Sequence, residues 1–181
     1  LCTFCACHKR ITKQHSVEEP YIETVLKEWD LYIAKFGKTP KIKELHLGGG
    51  TPTFFSPENL KYLLEGIFNK SEIAENPEFS FEGHPNNTTK EHLQTLYDLG
   101  FRRCSFGVQD YDLKVQKAIN RVQPFENVKQ VTEWAREIGY ISVSHDLVYG
   151  LPHSNWITME ETIRKTLELK PDRLAFYSYA H

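Results

Sequence analysis

Ile42-Lys43-Glu44-Leu45-His46-Leu47-Gly48-Gly49-Gly50-Thr51-Pro52 is the stretch from which the fold is read. Ile42–Leu47 reads as a strand, and it runs directly into three glycines. Without side chains, these glycines let the backbone approach a ligand and adopt positive φ. Exposed amide and carbonyl groups at such a strand end can hold the amino acid part of a small molecule. Taken alone, a glycine triplet is as readily a tight turn.

Outward from this stretch, further strands are predicted at Glu78–Glu82, Arg102–Val108, Ile141–Val148 and Arg173–Tyr179, all rich in β-branched, aromatic or aliphatic residues. Between them the period turns helical. Ile22, Val25, Leu26, Trp29, Ile33 and Phe36 form one stripe, read as core packing, with Ser16 and Glu19 as a capping box at its start. Other helix starts are predicted at Ser56 before Pro57, at Thr88 with Glu91, and at Thr158 with Glu161; Gly100 and Gly139 close two helices. Alternating strands and helices argue for a parallel sheet with its strands neighbouring in sequence order. The fold class is therefore α/β, a partial (β/α) barrel with outer helices. Working residues of such barrels lie at the C-terminal strand ends, where Gly48, Glu82, Gln109 and Asp146 fall.

With 181 residues, 40% hydrophobic and 13% aromatic, the chain can bury the core of one domain. A net charge of -2 and a pI near 6.5 give no general attraction to nucleic acid or anionic membranes. No apolar run approaches the roughly 18 residues of a membrane span, and no signal-peptide pattern is seen, so a cytoplasmic monomer is expected. The chain starts at Leu1 within a cysteine cluster and stops at a strand-like run ending in His181. Residues 1–181 are accordingly expected to be a fragment of a catalytic barrel domain whose first strand and C-terminal part lie outside them.

Three of the four cysteines, Cys2, Cys5 and Cys7, sit in Leu-Cys-Thr-Phe-Cys-Ala-Cys, and Cys104 lies apart in an apolar strand as a small buried hydrophobe. Such clustering points to metal, since thiolates are soft ligands for iron–sulfur clusters and zinc. Disulfides suit a cytosolic chain of this size poorly. Structural zinc would need His8 and His15, at a spacing that matches no common finger, and no strand precedes Cys2 as a thioredoxin-like pair requires.

These residues together resemble radical S-adenosylmethionine (SAM) enzymes, whose signature is Cys-x-x-x-Cys-x-x-Cys. Cys2 and Cys5 resemble its second and third cysteines. Phe4-Cys5-Ala6-Cys7 resembles the Cys-x-Cys extension of the oxygen-independent coproporphyrinogen III oxidases. The likeness continues through Gly48 to Thr53, Gly107-Val108-Gln109-Asp110, Asn120-Arg121, Asp146 to Pro152, and Pro171 to His181. It implies a partial barrel of the radical SAM type, a [4Fe–4S] cluster on Cys2, Cys5 and an upstream thiolate, and two molecules of SAM. It also implies an oxidoreductase of haem biosynthesis. A 5′-deoxyadenosyl radical would abstract hydrogen from a porphyrinogen propionate, and loss of carbon dioxide and an electron would leave a vinyl group.

The resemblance further implies that Gly49, Gly50, Thr51, Glu82, Gln109, Arg121, Asp146 and Ala180 contact SAM, and that Phe4 and Cys7 lie beside the cluster without Cys7 ligating it. Partners would be the porphyrinogen substrate and an electron donor. Plainer readings exist for single positions: Glu82 as a solvated carboxylate, Arg121 as a surface charge, Asp146 as a turn cap. A haem chaperone-like radical SAM protein is the nearest alternative, and Cys7 with Val108-Gln109-Asp110 favours the oxidase. A zinc-binding module is the more distant one.

Overall fold

The computed structural model describes residues 2–5 and 11–179. Five strands, β1 Lys41–Leu47, β2 Glu72–Gly83, β3 Phe101–Gln109, β4 Ser142–Tyr149 and β5 Arg173–Ser178, form one sheet in sequence order. Every neighbouring pair is parallel, as the alternation predicts. The helices are α1 Glu18–Phe36, α2 Pro57–Phe68, α3 Lys90–Asp98, α4 Leu113–Ala118, α5 Phe125–Ile138 and α6 Trp156–Glu168. No helix of the described residues is long and apolar enough to cross a membrane.

One face of the sheet carries the core. Phe79 and Phe81 on β2, Phe101, Cys104 and Phe106 on β3 and Val143 on β4 pack with Leu60 and Leu64 of α2, Leu93 and Leu96 of α3, and Val131 and Ala135 of α5. Successive strand residues point to opposite faces, so Ser80, Glu82, Ser105, Gly107 and Asp146 turn the other way. The polar face is thus a by-product of burying the aromatic one.

β2 begins six residues before the predicted Glu78. Its register against β1 slips between Ile42 and Glu44, because Asn76 takes φ 52° just before Pro77. A proline and a left-handed residue look like a strand boundary in sequence; here they form a bulge inside the strand.

Helix starts were legible at Ser56, whose hydroxyl accepts from the Asn59 amide at 3.2 Å. Elsewhere they shift. The α3 cap is Thr89, boxed with His92, while Thr88 is buried and donates to the Thr53 hydroxyl at 3.1 Å. The α6 cap is Asn155, with Thr158 at the third helical position instead of at the cap. Gly100 and Gly139 do end α3 and α5, at φ 96° and 112°.

The Ser16 and Glu19 box does not form, since α1 starts at Glu18 with Val17 as its uncapped N-cap. Glu18 is the residue that matters. Its fully buried carboxylate accepts from the Ser56 amide at 2.9 Å and the Asn59 side chain at 2.7 Å, and pairs with His15. Burial works against its charge, but these hydrogen bonds outweigh burial and hold the carboxyl below its usual value. Of the apolar stripe on α1 only Ile22 is fully buried, and Phe36 is exposed.

Removing Glu18 leaves buried donors on α2 unpaired, which costs about 1–3 kcal/mol. Glu18→Ala is expected to lower the thermal midpoint at pH 7 accordingly. A depressed carboxyl stabilises the fold above its unfolded value of 4.5, and that contribution disappears as pH falls through the lower folded value. The mutant and wild-type midpoints should therefore converge at low pH; an equal gap at pH 7 and pH 2 would refute the assignment.

Candidate functional site at the C-terminal strand ends

The site collects where β1 to β4 end. After β1, Gly48 lies so close to its neighbours that an added Cβ would meet His46 Nε2 at 2.9 Å and Glu82 Oε1 at 3.2 Å. Gly49 takes φ 97° with nothing within 4 Å of an added Cβ, so its face is open. Thr51 donates its hydroxyl to the Gly50 carbonyl at 2.7 Å, and buried Thr53 ties the loop to the end of β2 through Thr88.

The register sets the polar residues in rows. Glu82 pairs with Ser105, Ser105 with Ser144, and Gly107 with Asp146. Ser105 donates to Asp146 Oδ1 at 2.7 Å. Burial raises the Asp146 carboxyl above its ordinary value, and the negative charge of Glu82 adds to this; Ser105 and Arg121 act in the opposite direction. Asp146 is therefore no turn cap but a half-buried acid on the strand face. Glu82 stays half-exposed, with His46 Nε2 at 3.4 Å from its Oε1.

Arg121 follows α4 and is buried instead of lying on the surface. Its guanidinium donates to the Gly107 carbonyl at 2.7 Å and to Gln123 Oε1 at 3.4 Å, and reaches Cys2 Sγ at 3.9 Å. Burial opposes its charge, while Cys2, Cys5 and Asp146 favour it. Its Nε is buried without a hydrogen-bond partner. Gln123 Nε2 donates to the same carbonyl at 3.1 Å, and buried Gln116 clasps the Gln123 backbone at 2.8 and 3.0 Å. The β3–β4 register slips between Gly107 and Gln109 here, and Gln109 takes φ 67°. Only glycine fits at 107, since a Cβ there would meet Gln109 Nε2 at 2.5 Å and Arg121 Nη2 at 2.9 Å.

The cysteine loop is fastened onto this group. Thr3 donates its amide to the Ile119 carbonyl at 3.0 Å and its hydroxyl to the Ala118 carbonyl at 3.3 Å. Phe4 wedges beside Val115, Ile119, Val148 and Leu151. Cys2 and Cys5 are half-buried and stand as the thiols that can hold a soft metal. Cys7 and Ala180 lie outside the described residues. Among the described residues no group of three or more His, Cys, Asp or Glu side chains is arranged to hold a metal ion. His15, which a zinc reading would need, instead pairs with Glu18 and stacks on Phe54 at 4.9 Å between ring centroids.

Cys2, Arg121, Gln109 and Asp146 thus converge, with Glu82 and the glycine loop on the adjoining strand ends. The sequence reading missed Ser105 and Gln123. Strand alternation from Cys104 and Phe106 would have put Ser105 on the Glu82 face, whereas no local pattern marks Gln123, whose role arises from the turn after α4.

A polar, glycine-lined cleft at the C-terminal ends of parallel strands, with a cysteine loop beside it, has counterparts among known proteins. The radical SAM superfamily model matches residues 1–166, and the chain belongs to that superfamily. It is 40% identical over 180 residues to an oxygen-independent coproporphyrinogen III oxidase of Synechocystis sp., covering 99% of this chain and 39% of the relative. The corresponding protein of Helicobacter pylori strain J99 is 44% identical over 181 residues, with 99% and 40% covered. The structure of coproporphyrinogen III oxidase from Escherichia coli, described as a radical SAM enzyme, superposes with a TM-score of 0.94 at 35% identity, over 100% of this chain and 42% of that one. The chain spans about 40% of the length of the curated relatives it matches.

Proposed function

We propose that residues 1–181 form part of the catalytic barrel of an oxygen-independent coproporphyrinogen III oxidase. This enzyme oxidatively decarboxylates two propionates of coproporphyrinogen III to vinyl groups in haem biosynthesis. The observation that carries the reading is Arg121, which connects the Cys2 thiol at 3.9 Å to the Gly107 carbonyl of the site at 2.7 Å. Likeness to the named oxidases along essentially the whole chain supports it over a haem chaperone-like protein or a zinc module.

The donor set suits a [4Fe–4S] cluster with SAM. Two thiols project from one fastened loop beside a guanidinium that favours their charged form, Arg121 Nε is left without a partner, and the space over Gly49 is open. Cys2 and Cys5 would ligate the cluster, with Phe4 beside it. When bound, these groups supply one-electron reduction and a hydrogen-abstracting radical. Gly49, Gly50 and Thr51 offer backbone groups to SAM, while Glu82, Gln109, Arg121 and Asp146 offer charge and hydrogen bonds. The protein would act as a cytoplasmic monomer that draws electrons from a separate donor.

Anaerobic reconstitution of the full-length protein, followed by assays of SAM cleavage and porphyrinogen decarboxylation, tests the reading. SAM cleavage without decarboxylation would leave the superfamily and remove the oxidase. Arg121→Lys and Asp146→Asn are each expected to weaken SAM binding about tenfold to a hundredfold in calorimetric titration, because a hydrogen bond to a charged group is worth about 1.5–3 kcal/mol. Lys cannot copy the forked guanidinium that serves Gly107, Gln123 and Cys2 at once. Wild-type affinity in both variants would refute these roles.

A further inference from the structure

His84, directly after β2, has no role in the site as described so far. Glu82 pairs with Ser105 and Gly83 with Phe106 across β2 and β3. Strand alternation then puts His84 on the Glu82 face, beside Gly107 and the Arg121 guanidinium bound to its carbonyl. Both backbone groups of His84 are engaged. Its amide faces the Thr53 hydroxyl at 3.5 Å, and its carbonyl accepts from the Asn87 amide at 2.8 Å, the Thr88 amide at 2.9 Å and the Thr88 hydroxyl at 3.0 Å. The ring is held as well, because the Asn86 amide donates to Nδ1 at 3.2 Å.

An Nδ1 that accepts from a backbone amide leaves the proton of the neutral ring on Nε2. Burial, and after it the charge of Arg121, pushes the imidazole down to about 4, so the neutral form prevails near neutral pH. Half-buried His84 therefore presents one oriented N–H next to a buried cation whose own Nε lacks a partner. A neutral donor beside a guanidinium suits an anionic acceptor of two oxygens.

We propose that His84 Nε2–H and Arg121 together form a carboxylate subsite at the ends of β2 and β3. This rests on the radical SAM reading above. The carboxylate belongs either to the methionine part of SAM or to a propionate of the porphyrinogen.

The test uses the full-length, anaerobically reconstituted protein, with SAM and coproporphyrinogen titrated separately. Asn can retain the acceptor for the Asn86 amide while lacking the Nε2 donor, and Gln can bring an N–H to the Nε2 position. His84→Asn is expected to weaken one of the two ligands about tenfold, and His84→Gln to recover most of that loss. Weakened SAM binding identifies the methionine carboxylate, and weakened porphyrinogen binding identifies a propionate. Wild-type affinity for both ligands in His84→Asn overturns the proposal, as does a loss that His84→Gln fails to recover. Failure of the wild-type protein to bind SAM would overturn the radical SAM reading itself and this subsite with it.

Discussion

Cys5→Ala in the full-length protein is expected to abolish the visible absorbance of the iron–sulfur cluster after anaerobic reconstitution, whereas Cys104→Ala keeps it. The difference lies in where the fold puts each sulfur. Cys5 sits on a loop that Thr3 fastens to the end of α4 and Phe4 wedges into a small apolar cluster, so its thiol is held facing the site with little freedom to lose on binding metal. The charge of Arg121 lies close enough to favour a thiolate there. Cys104 is 3% exposed, packs among Phe81, Phe101 and Phe106 on the opposite face of the sheet, and burial pushes its thiol far up. A buried neutral thiol of this kind is a small hydrophobe and no ligand. Cys7→Ala should retain much of the absorbance, in keeping with its expected place beside the cluster. Iron content and absorbance of the three reconstituted variants measure this, and equal loss in Cys5→Ala and Cys7→Ala would show that the thiolates have been misassigned.

The sheet was legible because each strand carries its own apolar face, and parallel order follows from the helices between strands. What was not legible depends on contacts distant in sequence. Glu18 reads as an unremarkable first-turn carboxylate until α1 meets α2, 38 residues on, where Ser56 and Asn59 offer it their donors. Asn76-Pro77 reads as a break because the local signal for a bulge and for a strand end is the same. Caps at Thr89 and Asn155 were displaced by one and three residues from the predicted Thr88 and Thr158, since several Ser, Thr and Asn residues compete for each start. In the site, the resemblance pointed to Arg121 and Asp146, but only the folded chain shows that both are withdrawn from water and linked to Cys2 and Ser105 respectively. His84 was passed over for the same reason, because its Nδ1 partner and its nearness to Arg121 are properties of the turn after β2.

Phe81→Ala is expected to cost about 3–5 kcal/mol of stability, the range for truncating a buried aromatic side chain. Phe81 is fully buried, with the ring of Tyr140 at 6.0 Å and that of Phe101 at 6.3 Å between centroids, both edge-on. The gap left by its removal would lie between β2 and the layer of α3 and α5, where Leu93, Leu96, Val131 and Ala135 are already close-packed and cannot collapse inward without moving a helix. Its neighbour Ser80 provides the control. That residue faces the other way and bonds His46 Nδ1 at 2.8 Å in an exposed setting, so Ser80→Ala should change stability by no more than about 0.5 kcal/mol. Urea titration followed by far-UV circular dichroism separates the two: with a slope of about 2 kcal/mol per molar, Phe81→Ala lowers the midpoint by about 2 M and Ser80→Ala leaves it nearly unchanged. Below its transition, Phe81→Ala should still bind SAM, because Glu82 is held in register by the β2–β3 ladder at Ser105, and His84 by Thr53 and Thr88. A loss under 1 kcal/mol would mean that the aromatic layer is not what orders the strands, and the account of the polar face as a by-product of burying the aromatic one would have to be abandoned.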